Sequence, residues 1–427
     1  MRKQGAIRAG ISYAWVILAV LFVGLLATFG MSASFGAYIT PWEHDFSVGR
    51  TVVTSISMLN FIVFAFGQPL AGKLNDHFGK NFVPSVSIFL VGFSLLLTSR
   101  ANHIWQIFLL YGVVFPLGIS GCCNIIAASI ITRWFVEKRG LALGLTTSGM
   151  AVGQLVLVPA NLFIIEQAGW RRSMATLSII IMVVVGLLYI FLLRSKPEEK
   201  GMKPYGYTEP DKDAAQNGNA APEVVKTLPI ISVFKQKAFL LLSITSIICG
   251  FTDVGLIQTH LIPMAEGKGF PVSIAALAFS LIAISNIAGT IITGHLSDHI
   301  SRKWQLAVIW SVRALTYIFL IFLNQPWMLP IFAVIYGLSE MATIAPINSL
   351  TVQLFDKYSI GMMLGIVAVS HQIGGAIGSW VPGLLFDMTG SYTAVLTLSI
   401  VLLFGAALLS LGIPEIKNSV KIQTNNK

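Results

Sequence analysis

Twelve long apolar stretches, joined by mostly short polar loops, constrain this chain more than any other feature. A run of about 20 apolar residues is enough to cross the hydrocarbon core of a bilayer. No water reaches backbone groups there, so such a run must satisfy its own hydrogen bonds as a helix. The first six stretches lie at Trp15–Tyr38, Thr51–Gly72, Val83–Leu97, Trp105–Ile131, Gly140–Ile164 and Met174–Leu193. The second six lie at Phe239–Leu261, Ile274–Leu296, Trp304–Leu323, Trp327–Phe355, Met362–Phe386 and Ala394–Leu411. The one long connection is rich in Lys, Glu, Pro, Asn and Ala, and its middle reads as a disordered linker. The expected fold is an all-α membrane protein of twelve transmembrane helices in two six-helix repeats. Residues 1–193 form the first bundle, 194–237 a cytoplasmic linker, and 238–427 the second bundle with a short tail.

Only 11% of the residues are charged, against about a quarter in a soluble domain. The net charge of +10 does not point to nucleic acid, because the basic residues sit in short clusters between apolar runs, where they orient membrane helices. An even number of spans puts both termini on one side. Taking that side as cytoplasmic gives it Arg2, Lys3, Arg8, Lys73, Lys80, Arg133, Lys138, Arg139, Arg302, Lys303 and Lys357, with those of the linker and tail. The opposite side keeps only Arg50, Arg100, Arg171, Arg172 and Lys268. The expected location is the cell membrane, multi-pass, with cytoplasmic termini. The basic N-terminus leads into a run too long for a signal-peptide core, which is expected to be retained as the first span. Cys122, Cys123 and Cys249 all fall within apolar runs, show no disulfide or metal spacing and read as small packing residues. No Gly-x-x-x-x-Gly-Lys-Ser/Thr phosphate loop occurs, which argues against an ATP-driven pump and leaves solute or ion gradients as the energy source.

The two halves repeat. Gly72-Lys-Leu-Asn-Asp76-His77-Phe-Gly-Lys80 and Gly294-His-Leu-Ser-Asp298-His299-Ile-Ser-Arg302 each follow the second helix of their half, with Gly, Leu, Asp and His at the same spacing. Repeats of this kind are a known transporter design, able to rock about a central site. Asp76 and Asp298 are expected to latch one conformation by accepting hydrogen bonds at a neighbouring helix end; a solvated loop is the plainer alternative. The loop pair resembles the signature of the major facilitator superfamily, Gly-x-x-x-Asp-Arg-x-Gly-Arg, with His77 and His299 in place of the first Arg.

Trp134-Phe135-Val-Glu137-Lys138-Arg139-Gly-Leu141-Ala142-Leu-Gly144 further resembles the monocarboxylate-transporter signature, with Glu137 where that family has Lys. Tyr13-Ala14-Trp15-Val16 resembles the family's first-helix signature but lacks the acid that opens the animal pattern. Ser34-Phe35-Gly36, Ser370-His371-Gln372-Ile373-Gly374 and Pro382-Gly383-Leu384-Leu385-Phe386-Asp387 are similar to bacterial members of the same monocarboxylate-porter and oxalate-formate-antiporter branch. The resemblance implies a secondary transporter of a small organic anion, such as a monocarboxylate, with a proton as its expected co-substrate. It also implies that helices one, four, seven and ten line the solute route. The monocarboxylate family usually carries a substrate Arg on helix eight, but Ile274–Leu296 contains no Lys or Arg. That departure keeps open an exporter or antiporter of larger amphiphilic solutes. A transporter-like sensor is a third reading.

An ionisable side chain at bilayer depth is costly and marks function by default. Asp253, Arg313, Glu340 and His371 all fall well inside spans of the second half, while the first half has almost none. Asp253 and Glu340, near Arg313, could share a proton that anion binding would redistribute. Arg313 could instead be a structural partner bridging to helix seven or ten, and His371 suits the solute route or packing equally. In the first half, Asn124 and Gln154 are candidates for hydrogen bonds to solute; bridging helices is an equal alternative for such amides. Gly144, Gly149 and Gly153 suit close helix packing, and His260 an interfacial position or a gate. The expected partners are a small anionic solute, a proton and the lipid bilayer. The chain is expected to act as a monomer without cofactor, metal, nucleic acid or enzymatic activity.

Overall fold

The computed structural model describes residues 12–78, 81–207 and 230–415. They are helical nearly throughout. Among the described residues the one extended pairing is a bridge between Phe135 and Tyr205. Among the described residues eleven helices are long and apolar enough to cross a membrane, and a shorter apolar one lies at Phe82–Thr98. In chain order they are α1 (Tyr13–Phe46), α2 (Arg50–Phe78), α3 (Phe82–Thr98), α4 (Ile104–Trp134), α5 (Arg139–Ala168) and α6 (Trp170–Phe191). The second set is α7 (Lys237–Gly267), α8 (Val272–Ser297), α9 (Arg302–Ile321), α10 (Met328–Leu354), α11 (Ile360–Thr389) and α12 (Thr393–Leu411). Each coincides with one of the stretches read from the sequence. Several run further than hydropathy shows, because their ends are polar or amphipathic: α6 begins with Arg171 and Arg172 in its first turn, directly after Gly169 at φ +81°.

Backbone contacts group Met1–Val48 with Leu59–Ala221, and Gly49–Met58 with Pro222–Lys427. In the first unit α1 packs closely on α5. A Cβ at Gly149 would lie 2.5 Å from the Phe22 carbonyl oxygen, and one at Gly153 would strike that of Leu26. Gly144, expected to join this set, faces open space instead. The second unit repeats the device between α7 and α11, where Gly374 and Gly378 face the Ile247 and Phe251 carbonyls and Gly250 faces that of His371. Without side chains in the way, backbones approach and gain van der Waals contact, which drives helix association in lipid.

The burial pattern suits a lipid surround. On α9, Trp310, Arg313 and Tyr317 are fully buried within their unit, while Val308 and Leu315 are each 58% exposed. An apolar exposed face opposite a polar buried one is the inverse of a water-soluble helix.

Among the described residues five of these helices are interrupted, α1 by a 3₁₀ turn at Ser34–Tyr38. α4 carries a wide π turn at Leu110–Val114 and a break at Cys122–Cys123; α6 has a π turn at Ile181–Val185, α7 one at Phe251–Ile257, and α10 a tight 3₁₀ turn at Met341–Thr343. Pro116 and Pro346 follow two of these and have no N–H to donate to the preceding turn. Such irregular turns recur at functional positions.

The start of the linker folds against the end of α4. Pro197–Lys200 forms a 3₁₀ turn. The Tyr205 N–H then donates to the Trp134 carbonyl at 2.8 Å, and its own carbonyl accepts from Val136 N–H at 3.0 Å. The Tyr205 ring packs 5.6 Å from Phe135 and 6.0 Å from Trp15. The middle of the linker, residues 208–229, the basic N-terminus up to residue 11 and the tail from residue 416 lie outside the described residues.

Candidate functional site

The second unit gathers side chains from five helices into one buried polar cluster. Its base is the irregular turn of α7. Asp253 lies in that turn and Cys249, four residues earlier, in the α-helical segment that leads into it. Thr252 turns its hydroxyl back onto the Ile248 carbonyl at 2.9 Å, a bond that competes with the helix ladder and suits a distorted turn.

Arg313 of α9 is 0% exposed. A cation buried this deeply needs compensation, and α10 supplies it. Where the α-helix of α10 gives way to its 3₁₀ turn, the Ser339 and Glu340 carbonyls receive the Arg313 Nη2 donor, both at 2.6 Å. These carbonyls form the negative end of the helix segment, which attracts a cation. Nη1 donates to Cys249 Sγ at 3.5 Å. The guanidinium also lies 5.0 Å from the Trp310 ring and 5.9 Å from the Tyr336 ring. Arg313 therefore bridges α9 to both α10 and α7, but through carbonyls and a thiol, not an ion pair. Its Nε and the Tyr336 hydroxyl are buried without a partner among the described residues.

The acidic members sit alongside. Glu340 is 4% exposed and Asp253 is 7% exposed. Asn286 of α8 donates to Glu340 Oε2 at 2.6 Å. His371 Nε2 of α11 lies 3.8 Å from Asp253 Oδ2, and its side chain keeps 28% exposure. Of the four ionisable residues picked from the sequence, His371 is thus the accessible one. The structure brings all four together.

Three members were not singled out by sequence reasoning. Cys249 was read as packing, yet it contacts Arg313. Asn286 and Tyr317 were passed over; the Tyr317 hydroxyl donates to the Thr252 carbonyl. An amide alone in an apolar helix was the signal available for Asn286.

The first-unit candidates are separate from one another. Asn124 opens the second segment of α4 after the break, and its Oδ1 accepts from the Thr147 hydroxyl at 3.3 Å. Gln154 is buried on α5, with no side-chain hydrogen bond among the described residues. Asn161 bridges α5 to α1, accepting from the Tyr38 hydroxyl at 2.8 Å. Asp76 is exposed, with no ion pair among the described residues. Asp298 lies in the helix that continues α8, and its side chain is outside the described residues. His260, read from the sequence as an interfacial residue or a gate, is fully buried. Its Nε2 is 2.8 Å from the Ser379 carbonyl and its Nδ1 is 3.1 Å from the Tyr392 hydroxyl.

Helices of membrane-crossing length in two repeats, irregular turns within them, and buried charge at those turns together define a multi-pass membrane transporter. The chain belongs to the Major Facilitator Superfamily, whose sequence model matches residues 20–356 and again 261–426. Among its relatives, an uncharacterized MFS-type transporter of Bacillus subtilis, YcxA, is 26% identical over 407 residues, covering 93% of this chain and 94% of its own. Monocarboxylate transporter 13 of Rattus norvegicus is 23% identical over 417 residues, covering 97% and 92%. Among solved structures, the fold is shared with a bacterial homolog of the human lysosomal transporter Spinster in an inward-facing, unoccupied conformation. That match has a TM-score of 0.75 at 16% identity, over 96% of this chain and 100% of that one. A D-xylose-proton symporter matches with a TM-score of 0.76 at 15% identity, over 95% and 98%. At these identities the structures show the fold alone.

Proposed function

We propose that the protein moves a small organic anion of the monocarboxylate class together with a proton, by alternating access of its two six-helix halves in the cell membrane. The relatives named monocarboxylate transporters support the solute class. The observation that carries the reading is the buried cluster in which Arg313, Asp253 and Glu340 meet the partly exposed His371. Arg313 acts as a fixed counter-charge, since its guanidinium is fully buried. Two carboxyls buried in one cluster repel when both are charged, so Asp253 and Glu340 share one proton. A carboxylate arriving at His371 changes that balance and couples its passage to the proton's. Asn124 and Gln154 supply neutral hydrogen-bonding groups from the first half, and Asp76 and Asp298 latch one conformation. Residues 1–193 and 238–427 are the moving halves, 194–237 connects them, and both termini are cytoplasmic.

Uptake of labelled monocarboxylates into proteoliposomes, with and without an inward proton gradient, tests this. The expected result is uptake that the gradient accelerates. Uptake indifferent to the gradient removes the proton. No uptake of any carboxylate removes the solute class and favours an exporter of larger amphiphiles, the second reading. One observation favours that alternative: α8 offers Asn286 but no Lys or Arg within its apolar length.

A further inference from the structure

We propose that Cys249, Asp253 and His371 form a binding site for a divalent transition-metal ion, which staples α7 to α11 and arrests transport. The Cys249 thiol sulfur, an Asp253 carboxylate oxygen and a His371 ring nitrogen all lie within 4.8 Å of one another. In a tetrahedral zinc site the metal–ligand distances are about 2.0–2.3 Å, which separates ligand atoms by roughly 3.5 Å. The three donors are therefore at most about 1.3 Å further apart than ligands of one ion. Two of them come from one helix turn, and the Gly250 contact with the His371 backbone holds the third close.

The donor set selects the ion. A thiolate with imidazole and carboxylate suits zinc and its neighbours, whereas magnesium and calcium demand oxygen ligands. Three protein ligands leave the fourth tetrahedral position open to water. Binding replaces two protons: the Cys249 S–H bond breaks as the S–metal bond forms, Asp253 gives up the proton it shares with Glu340 as its carboxylate ligates the ion, and both protons leave to water. A divalent ion with one thiolate and one carboxylate is neutral, and Glu340 balances Arg313, so the occupied cluster carries no net charge. In a low-dielectric interior that neutrality decides whether the ion is tolerated. The exposed part of His371 gives the ion access. Metal binding rests on donor geometry alone; the arrest of transport rests on the functional reading above.

The test is a Co²⁺ titration of the purified, tag-free full-length protein, followed by absorbance. The wild type is expected to show a thiolate-to-cobalt charge-transfer band that Zn²⁺ bleaches. Cys249→Ser abolishes it, His371→Ala and Asp253→Asn weaken binding by at least about tenfold, and Cys122→Ser with Cys123→Ser leaves it intact. No band in the wild type, or a band that persists in Cys249→Ser, overturns the proposal. Cobalt X-ray absorption of the loaded wild type, which needs no variant to fold, must show one sulfur scatterer, and its absence also overturns the proposal. A cobalt band in a protein that takes up no carboxylate leaves the metal site standing while the solute reading fails.

Discussion

The Asn286 amide ties the Glu340 carboxyl to the turn that follows it: Nδ2 donates to Glu340 Oε2 at 2.6 Å, and Oδ1 accepts the Met341 N–H at 3.2 Å. One side chain on α8 thus orients the acid and satisfies a backbone donor in the irregular turn of α10. Asn286→Leu leaves both groups without this partner and should lower stability by about 1–3 kcal/mol, read as a fall in the unfolding midpoint in detergent. Asn286→Asp places a second carboxylate beside Glu340. Its destabilisation should shrink as the pH falls, because protonating either acid removes the repulsion; a deficit independent of pH would count against this contact.

Arg313 depends on shape as well as charge. Arg313→Gln removes the cation from beside Asp253 and Glu340 and should cost about 3–5 kcal/mol, with loss of uptake. Arg313→Lys keeps the charge but replaces the planar fork, which reaches two carbonyls and a thiol, with a single ammonium. Partial uptake is expected for Lys and none for Gln. Wild-type turnover in Arg313→Gln would remove this residue from the mechanism.

The glycines separate by what a methyl would meet. Alanine at Gly153 or Gly378 presses on the Leu26 or Phe251 carbonyl and should destabilise by about 1–3 kcal/mol. Alanine at Gly144, which faces open space, should be neutral or stabilising by up to about 1 kcal/mol, as expected for Gly to Ala within a helix. Thermal unfolding of the three single variants checks the order. Equal effects at all three would mean that close packing is not what these positions provide.

Asp387, at the end of α11, caps the start of α2. It accepts from the Arg50 N–H at 3.1 Å, and from the Thr51 N–H and hydroxyl at 2.8 and 2.6 Å. Arg50 Nη1 in turn donates to the Tyr392 hydroxyl at 2.9 Å, and its guanidinium lies 4.0 Å from the Phe386 ring. Asp387→Ala should cost about 0.5–2 kcal/mol, and Asp387→Asn less, because an amide oxygen still accepts at a helix start. Denaturation of the two variants side by side settles the order; an equal loss would show that the negative charge matters more than the cap.

The spans, their number and their pairing into two repeats could be read directly from the residues, because apolar length and the paired Gly-x-x-x-Asp loops are local properties of the chain. The ionisable residues of the second half stood out for the same reason, as charge within an apolar run. The tertiary structure alone decided that Arg313 answers to backbone carbonyls, that Glu340 answers to Asn286, and that Cys249 sits with Asp253 and His371. Those partners lie dozens of residues apart and meet only because α7–α11 pack with particular faces together, a rotation about each helix axis that uniform hydrophobicity leaves unspecified. The interrupted turns were hidden for a related reason: a break is set by how freed carbonyls find donors on other helices, and those donors do not exist until the bundle has assembled.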